Sequence, residues 1–240
     1  MAGEGLGEGR PDRLHCIFGR WICPFNLRYS ADLMAKEGIY FLLPLVAATA
    51  GALWAGWTWA AFVSAGLGLF VAFFFRDPPR VIPSDPGIIV APADGRVVRI
   101  ESEGHDTRVS IFLSIFNVHI NRSPIAGTVK SVRYRKGRFR AAFNHIASVE
   151  NEQNTLSFDG EGIRLDCSQI AGLVARRIVC RAQPGDTLAR GERFGLIRFG
   201  SRTDLLLPPN VEVLVNVGDK VHGGSSVIGR IMAEEQRQTA

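Results

Sequence analysis

The chain has 240 residues, 46% of them hydrophobic, with a formal charge of +5 and a pI near 9.3. That length allows one sizeable core plus a membrane segment, or two small domains, and the basic balance suits an anionic partner, either nucleic acid or a membrane surface. Four cysteines, Cys16, Cys23, Cys167 and Cys180, form no C-x-x-C pair and have no histidine at zinc-ligand spacing; this argues against a zinc site or a disulfide framework and favours reduced thiols.

Residues 1–30 read as a flexible basic tail. Its first 13 residues are rich in Gly, Glu and Arg, with almost nothing to bury, and no apolar core follows closely enough for a signal peptide. From Gly38 to Phe75 there is no Asp, Glu, Lys or Arg, a run of 38 residues. One spanning helix needs about 20, so residues 31–76 are predicted to form a membrane-associated helical hairpin. Its turn falls around Trp54, Gly56, Trp57 and Trp59, and the pair either crosses the bilayer or embeds in it. Arg20, Arg28 and Lys36 precede the run, and Arg76 and Arg80 follow it. The positive-inside bias therefore puts both flanks on the cytoplasmic side of the cell (inner) membrane. A helical pair buried in a soluble core would show a polar stripe, and this one shows none.

Pro78, Pro79, Pro83 and Pro86 make residues 77–87 a stiff linker. From residue 88 to 240 the texture is β-rich. Strands are predicted at Ile88–Val90, Arg96–Ile100, Val109–Leu113, Gly127–Tyr134, Thr155–Phe158, Ile170–Cys180, Phe194–Phe199 and Val211–Val215, and a helix only near Arg140–Glu150. The fold class is mainly β, a compact barrel or sandwich. Gly185-Asp-Thr-Leu-Ala-Arg-Gly191 echoes Gly218-Asp-Lys-Val-His-Gly-Gly224. Both are similar to the hairpin corners of lipoyl- and biotinyl-type barrel-sandwich hybrids. Lys220 lies within its turn rather than at an exposed tip beside Met, so a carrier role does not follow. Arg133–Arg140 carries five cations in eight residues; a solvated hairpin accounts for them, and contact with anionic lipid is the functional alternative, preferred over nucleic acid because of the hydrophobic hairpin.

No G-x-S-x-G elbow is present. Phe199-Gly-Ser-Arg202 follows an apolar run, and Gly-Ser alone is a common turn. Pro92-Ala-Asp-Gly95 offers a carboxylate that by itself would cap a turn. Phe116-Asn-Val-His-Ile-Asn-Arg-Ser-Pro124 places one His in an apolar stretch, alone an ordinary half-buried His. Together Asp94, His119 and Ser201 are the residue types that orient a base and activate a hydroxyl.

These strings, with Ala147-Ser-Val-Glu-Asn-Glu-Gln-Asn154 between them, resemble the phosphatidylserine decarboxylase proenzymes of the short prokaryotic type. The resemblance implies self-cleavage between Gly200 and Ser201. Ser201 attacks the Gly200 carbonyl, and the resulting ester eliminates to dehydroalanine, which hydrolyses to a covalent pyruvoyl group and ammonia. A β chain (residues 1–200) and an α chain (201–240) then associate as a heterodimer; homo-oligomerisation stays open. It further implies that His119 is the base, that Asp94 orients it, and that the pyruvoyl group forms a Schiff base with phosphatidylserine and releases carbon dioxide and phosphatidylethanolamine. The long forms carry His-x-x-His where this chain has Phe116-Asn-Val-His119, and Leu-Gly-Ser-Thr where it has Phe199-Gly-Ser-Arg202. His145 is the candidate to replace the missing first His. Two alternatives remain: a pyruvoyl decarboxylase of soluble amino acids, and a membrane-tethered barrel adaptor without chemistry. The hydrophobic hairpin argues against the first and the lack of heptads against the second.

Overall fold

The computed structural model describes residues 34–137, 150–172, 177–198 and 200–232. Nearly all of the helix expected near Arg140–Glu150, and His145 with it, lies outside them.

Two helices fill the uncharged run, α1 (Lys36–Trp54) and α2 (Thr58–Phe74). They are joined by a turn in which Gly56 takes φ 73°, a backbone region that costs glycine little. Helices of 19 and 17 residues measure about 28 and 26 Å at 1.5 Å per residue, close to the roughly 30 Å of bilayer hydrocarbon. By length and composition α1 can cross a membrane, and α2 is a shorter apolar helix. The pair is held by Thr49 Oγ1 against Ser64 Oγ at 2.9 Å and by close approach at Gly68, where a Cβ would lie 3.7 Å from Leu42. Its outer surface stays apolar and exposed, from Phe41 and Leu43 to Phe62, Leu69 and the turn residues Trp54, Trp57 and Trp59.

The remainder is antiparallel β structure: β1 (Ile88–Val90), β2 (Gly95–Glu103), β3 (Asp106–Leu113), β4 (Ile120–Arg122), β5 (Gly127–Arg135), β6 (Gln153–Gly160), β7 (Ile163–Ile170), β8 (Ile178–Cys180), β9 (Thr187–Leu188), β10 (Arg193–Ile197), β11 (Ser201–Leu207), β12 (Val211–Val213), β13 (Lys220–Val221) and β14 (Val227–Ile231). One curled sheet of eight strands runs β13-β2-β3-β11-β7-β6-β5-β9, and two three-stranded sheets run β1-β14-β12 and β4-β10-β8. Alternate residues Val97, Val109, Ile111, Leu156, Phe158, Leu165, Cys167 and Leu205 are buried in its core. The expected mainly β class with a preceding helix pair is therefore what forms. Most strand limits differ: β2, β3, β5 and β6 run longer than expected, and β12 ends at Val213. The run Ile170–Cys180 divides into the end of β7 and the whole of β8, and β10 stops at Ile197.

The repeated Gly-Asp turns have matching hydrogen bonds. Gly218 N–H donates to Val97 O and Gly185 N–H to Val129 O; Val97 N–H donates to Asp219 O and Val129 N–H to Asp186 O. Asp219 and Asp186 cap their own turns in the same way, at 2.8 Å each. Each turn leads into a two-residue strand, β13 or β9, that closes one edge of the large sheet.

The proline-rich segment is fastened to the β structure. Asp77 is buried and pairs with Arg122 at 2.6 Å and Arg193 at 2.5 Å. Arg80 pairs with Asp94. Ala35, Phe74 and Phe75 at the foot of the helices form a small core with Val118, Ile120 and Leu196.

Candidate active site

The strand order brings the expected residues to one end of the large sheet. β3 leaves that sheet at Leu113, and residues 114–119 cross to β4. β10, the partner of β4, ends at Ile197, and the chain re-enters the large sheet at Ser201 as β11, the partner of β3. The two crossings run side by side: Ser201 faces Leu113, and Ile197 N–H donates to His119 O at 3.2 Å. His119 sits on one crossing and the Gly200–Ser201 bond on the other. Asp94 precedes β2, whose first residues flank Phe112 of β3.

Gly200 has φ 57°, in the left-handed region, although a Cβ there would meet nothing within 4 Å. Backbone conformation, not space, calls for glycine. Ser201 is fully buried, and its Oγ has no hydrogen-bond partner among the described residues. A buried hydroxyl left unpaired costs about 1–3 kcal/mol, so it is a group to explain. The residue after it is anchored. Arg202 is buried and holds Asp204 through Nε at 2.8 Å and Nη2 at 3.0 Å, and Asp204 also accepts from Arg108 at 3.0 Å.

His119 is also buried. Its Nδ1 lies 2.9 Å from the Asn117 carbonyl. A carbonyl only accepts, so Nδ1 carries the proton and Nε2 keeps its lone pair; Nε2 has no partner among the described residues. The ring lies 4.3 Å from that of Phe74, the last residue of α2. Burial pushes the imidazole down from 6.5 to about 4, assisted by the nearby Arg76 charge and opposed by the Asn117 hydrogen bond and the Asp94 charge. It is a neutral base at pH 7.

The contact expected between Asp94 and His119 is not made. The Asp94 carboxylate is taken up by Arg80 Nη2, at 2.9 and 2.8 Å, and by the Gly223 N–H at 2.8 Å. His222 Nδ1 lies 3.5 Å away. Asp94 reaches His119 through its field alone. Arg80, His222 and Asn117 belong to the candidate site, and sequence reasoning gave none of them a part in it. A cleft of about 510 Å³ with mixed polar and apolar walls opens beside them, lined by Arg96, Phe112, Ser114, Asn117, Lys220 and His222 among others.

A buried amide chain fixes the two crossings relative to each other. Asn154 donates to Gln169, Gln169 to Asn121 and Asn121 to Thr203 Oγ1, at 3.0, 2.9 and 3.2 Å. It joins β6, β7, β4 and β11, and so ties the strand after His119 to the strand that Ser201 begins. The crossing that carries the Gly200–Ser201 bond is also tied to α1, where the Arg198 guanidinium lies 5.3 Å from the Phe41 ring centre. Among the described residues, no group of three or more His, Cys, Asp and Glu forms a metal cluster.

The model of the family described as phosphatidylserine decarboxylase matches residues 67–229. The chain is 48% identical over 197 residues to a phosphatidylserine decarboxylase proenzyme of Solibacter usitatus, covering 82% of this chain and 96% of that one. It is 50% identical over 208 residues to the proenzyme of that name from Symbiobacterium thermophilum, and 45% over 208 residues to that from Nitrosomonas eutropha, each time covering 83% of this chain and 96% of the relative.

Proposed function

The chain belongs to the phosphatidylserine decarboxylase family, and on that premise we propose that it is a self-processing enzyme whose catalytic group is made from Ser201. Its reaction is the decarboxylation of phosphatidylserine, in phospholipid biosynthesis. The observation that carries the self-processing reading is the unpaired, buried Ser201 hydroxyl next to a glycine in left-handed conformation.

In the first step Ser201 Oγ bonds to the Gly200 carbonyl carbon. The hydroxyl proton goes to His119 Nε2, the free lone pair of the site. Collapse breaks the C–N bond, leaves an ester and returns the proton to the freed amine. The Asp94 charge favours the imidazolium that forms in between, while the desolvated pocket keeps the resting imidazole neutral. Arg202, locked to Asp204, keeps the new chain start in β11 as the bond before it breaks. A ketone at residue 201 fits the place, because the serine that would become it lies at the start of a central strand with its side-chain oxygen uncommitted. Such a pyruvoyl group supplies an electron sink for the charge left when carbon dioxide departs. The β and α chains then stay together through the β11 pairings with β3 and β7.

The apolar helices support membrane association, and the cations that flank them, Lys36, Arg76 and Arg80, support a catalytic part on the cytoplasmic side. The cations Arg96 and Lys220 in the cleft suit an anionic headgroup. The test is the intact mass of the purified protein with and without phenylhydrazine, followed by assay on phosphatidylserine and on free serine. Two chains divided after Gly200, a ketone adduct on the shorter one and activity on the lipid alone support the reading. Ser201→Ala should stay one chain and be inactive; a variant that still divides would sink the mechanism.

A further inference from the structure

The crossing that carries His119 also has an outward face with no role in the chemistry above. Ser114 N–H and Oγ both donate to Asn117 Oδ1, at 2.9 and 2.8 Å, and Asn117 N–H donates back to Ser114 O at 3.0 Å. This closed turn pushes Ile115 and Phe116 outward, 40% and 65% exposed. Beyond the helix pair, Phe116 is the only exposed phenylalanine among the described residues. A single exposed apolar side chain is ordinary. Two adjacent ones on a locked turn, tied to the end of a larger apolar surface, are not.

That tie is made by Arg76. Its Nη2 donates to Phe116 O and its Nη1 to Phe73 O, both at 2.7 Å, and its guanidinium lies 3.8 Å over the Phe73 ring. Phe73 belongs to the exposed apolar surface of α2, at the end where the chain leaves the helix pair. Arginine at this level is the residue that snorkels to phosphates. On its other side the turn supplies the Asn117 carbonyl that sets the His119 tautomer, and Ser114 and Asn117 line the cleft.

We propose that the Ser114–Asn117 turn is a second bilayer contact. Ile115 and Phe116 enter the boundary between headgroups and acyl chains beside Phe73, and so hold the cleft mouth and His119 at headgroup height. A lipid then presents its headgroup without leaving the membrane. This rests on the reading that the helix pair is embedded and that the substrate is a phospholipid.

The experiment uses the full-length, self-cleaved protein. kcat/KM is measured on vesicles containing phosphatidylserine and on a short-chain phosphatidylserine kept below its micelle concentration. For Ile115→Ser with Phe116→Ser, the ratio of vesicle to dispersed activity is expected to fall about ten-fold, the scale for taking apolar side chains out of a lipid contact. Phe116→Leu should hold the ratio within about two-fold of wild type. An unchanged ratio, or equal loss on both substrates, overturns the proposal. So does a change in the detergent-solubilised mass of the double variant, which would make the patch a contact with a second copy. If the double variant does not fold, Phe116→Trp decides. Quenching by bromine-labelled lipid beyond that of the four native tryptophans supports the contact, and no added quenching overturns it. Wild-type protein inactive on both lipids would instead overturn the substrate reading, before any variant is compared.

Discussion

The molecule contains the same corner twice, and only one copy carries the candidate site. In the first, Ala91-Pro-Ala-Asp-Gly95 meets the turn Gly218–Gly224; in the second, Ser123-Pro-Ile-Ala-Gly127 meets Gly185–Gly191. The backbones agree in detail. Gly224 N–H donates to Ala91 O and Gly191 N–H to Ser123 O, and β2 and β5 each break register after their first valine, Val97 or Val129. Asp94 corresponds to Ala126, and His222 to Ala189. Where the first corner buries a carboxylate against Arg80, the second borrows Glu161 from the β6–β7 turn, which receives Arg190 at 2.7 and 2.8 Å and the Ala126 N–H at 3.0 Å. The shared glycines and Gly-Asp turns therefore explain the architecture, and what remains in one copy alone explains the site.

Making the first corner like the second is the strongest test. Asp94→Ala should slow self-cleavage about 100-fold, the scale of losing an acid–base partner. By leaving the nearly buried Arg80 unpaired it should also cost about 3 kcal/mol. A time course of chain division and a thermal melt read the two effects. The reciprocal Ala126→Asp, at an exposed position, should leave division unchanged and stability within about 0.5 kcal/mol; equal damage from both would erase the distinction.

Acid probes the same asymmetry. With His119 held at about 4, its base form persists as pH falls well past 6.5. Self-cleavage should stay level from pH 7 to about 5 and then drop about ten-fold per pH unit below 4. A midpoint near 6.5 would assign the base to an exposed imidazole. Features common to both copies should fail alike. A Cβ at Gly95 or Gly127 would lie 2.2 Å from Phe112 O or 2.6 Å from Asp159 O, so either Gly→Ala change should cost about 2 kcal/mol or more in chemical unfolding. The smallest effects belong to the turn caps. Asp219→Ala and Asp186→Ala each lose one equivalent hydrogen bond, about 1 kcal/mol apiece, and a large difference between them would mean the corners are less alike than their geometry.

The helix pair was legible because a long run without charge leaves few choices, and β1 because Ile88–Val90 is apolar throughout. Ile163–Ile170 went unread although it alternates cleanly, since Arg164, Asp166 and Ser168 dilute its apolar signal. Ser201–Leu207 was not among the expected strands, its Gly-Ser start being a common turn and Arg202 and Asp204 being polar; their mutual ion pair is what lets a central strand bury them. Asp94, His119 and Ser201 could be picked by residue type and motif, and the topology does gather them at one sheet end. Their contacts could not be read. Nothing local in the sequence says that Asp94 turns to Arg80 and His222, or that Gln169 and Thr203 complete a buried amide chain. Those pairings join residues far apart in the chain, and only the fold decides them. The second Gly-Asp turn did hold a usable clue, since His222 stands where its repeat has alanine.

The foot of the helix pair supplies one wall of the site: Phe74 lies against His119, and Arg198 lies over Phe41. The anchor is thus no detachable handle. Shortening the chain at Asp77 to obtain a soluble enzyme would strip the imidazole of the ring that keeps it dry. The helices also leave the ribosome well before Ser201 does, so by the time the nucleophile is synthesised its membrane segment is already available to dock. On the proposed mechanism, maturation would follow chain direction: lodging in the lipid first, and the reactive ketone afterwards.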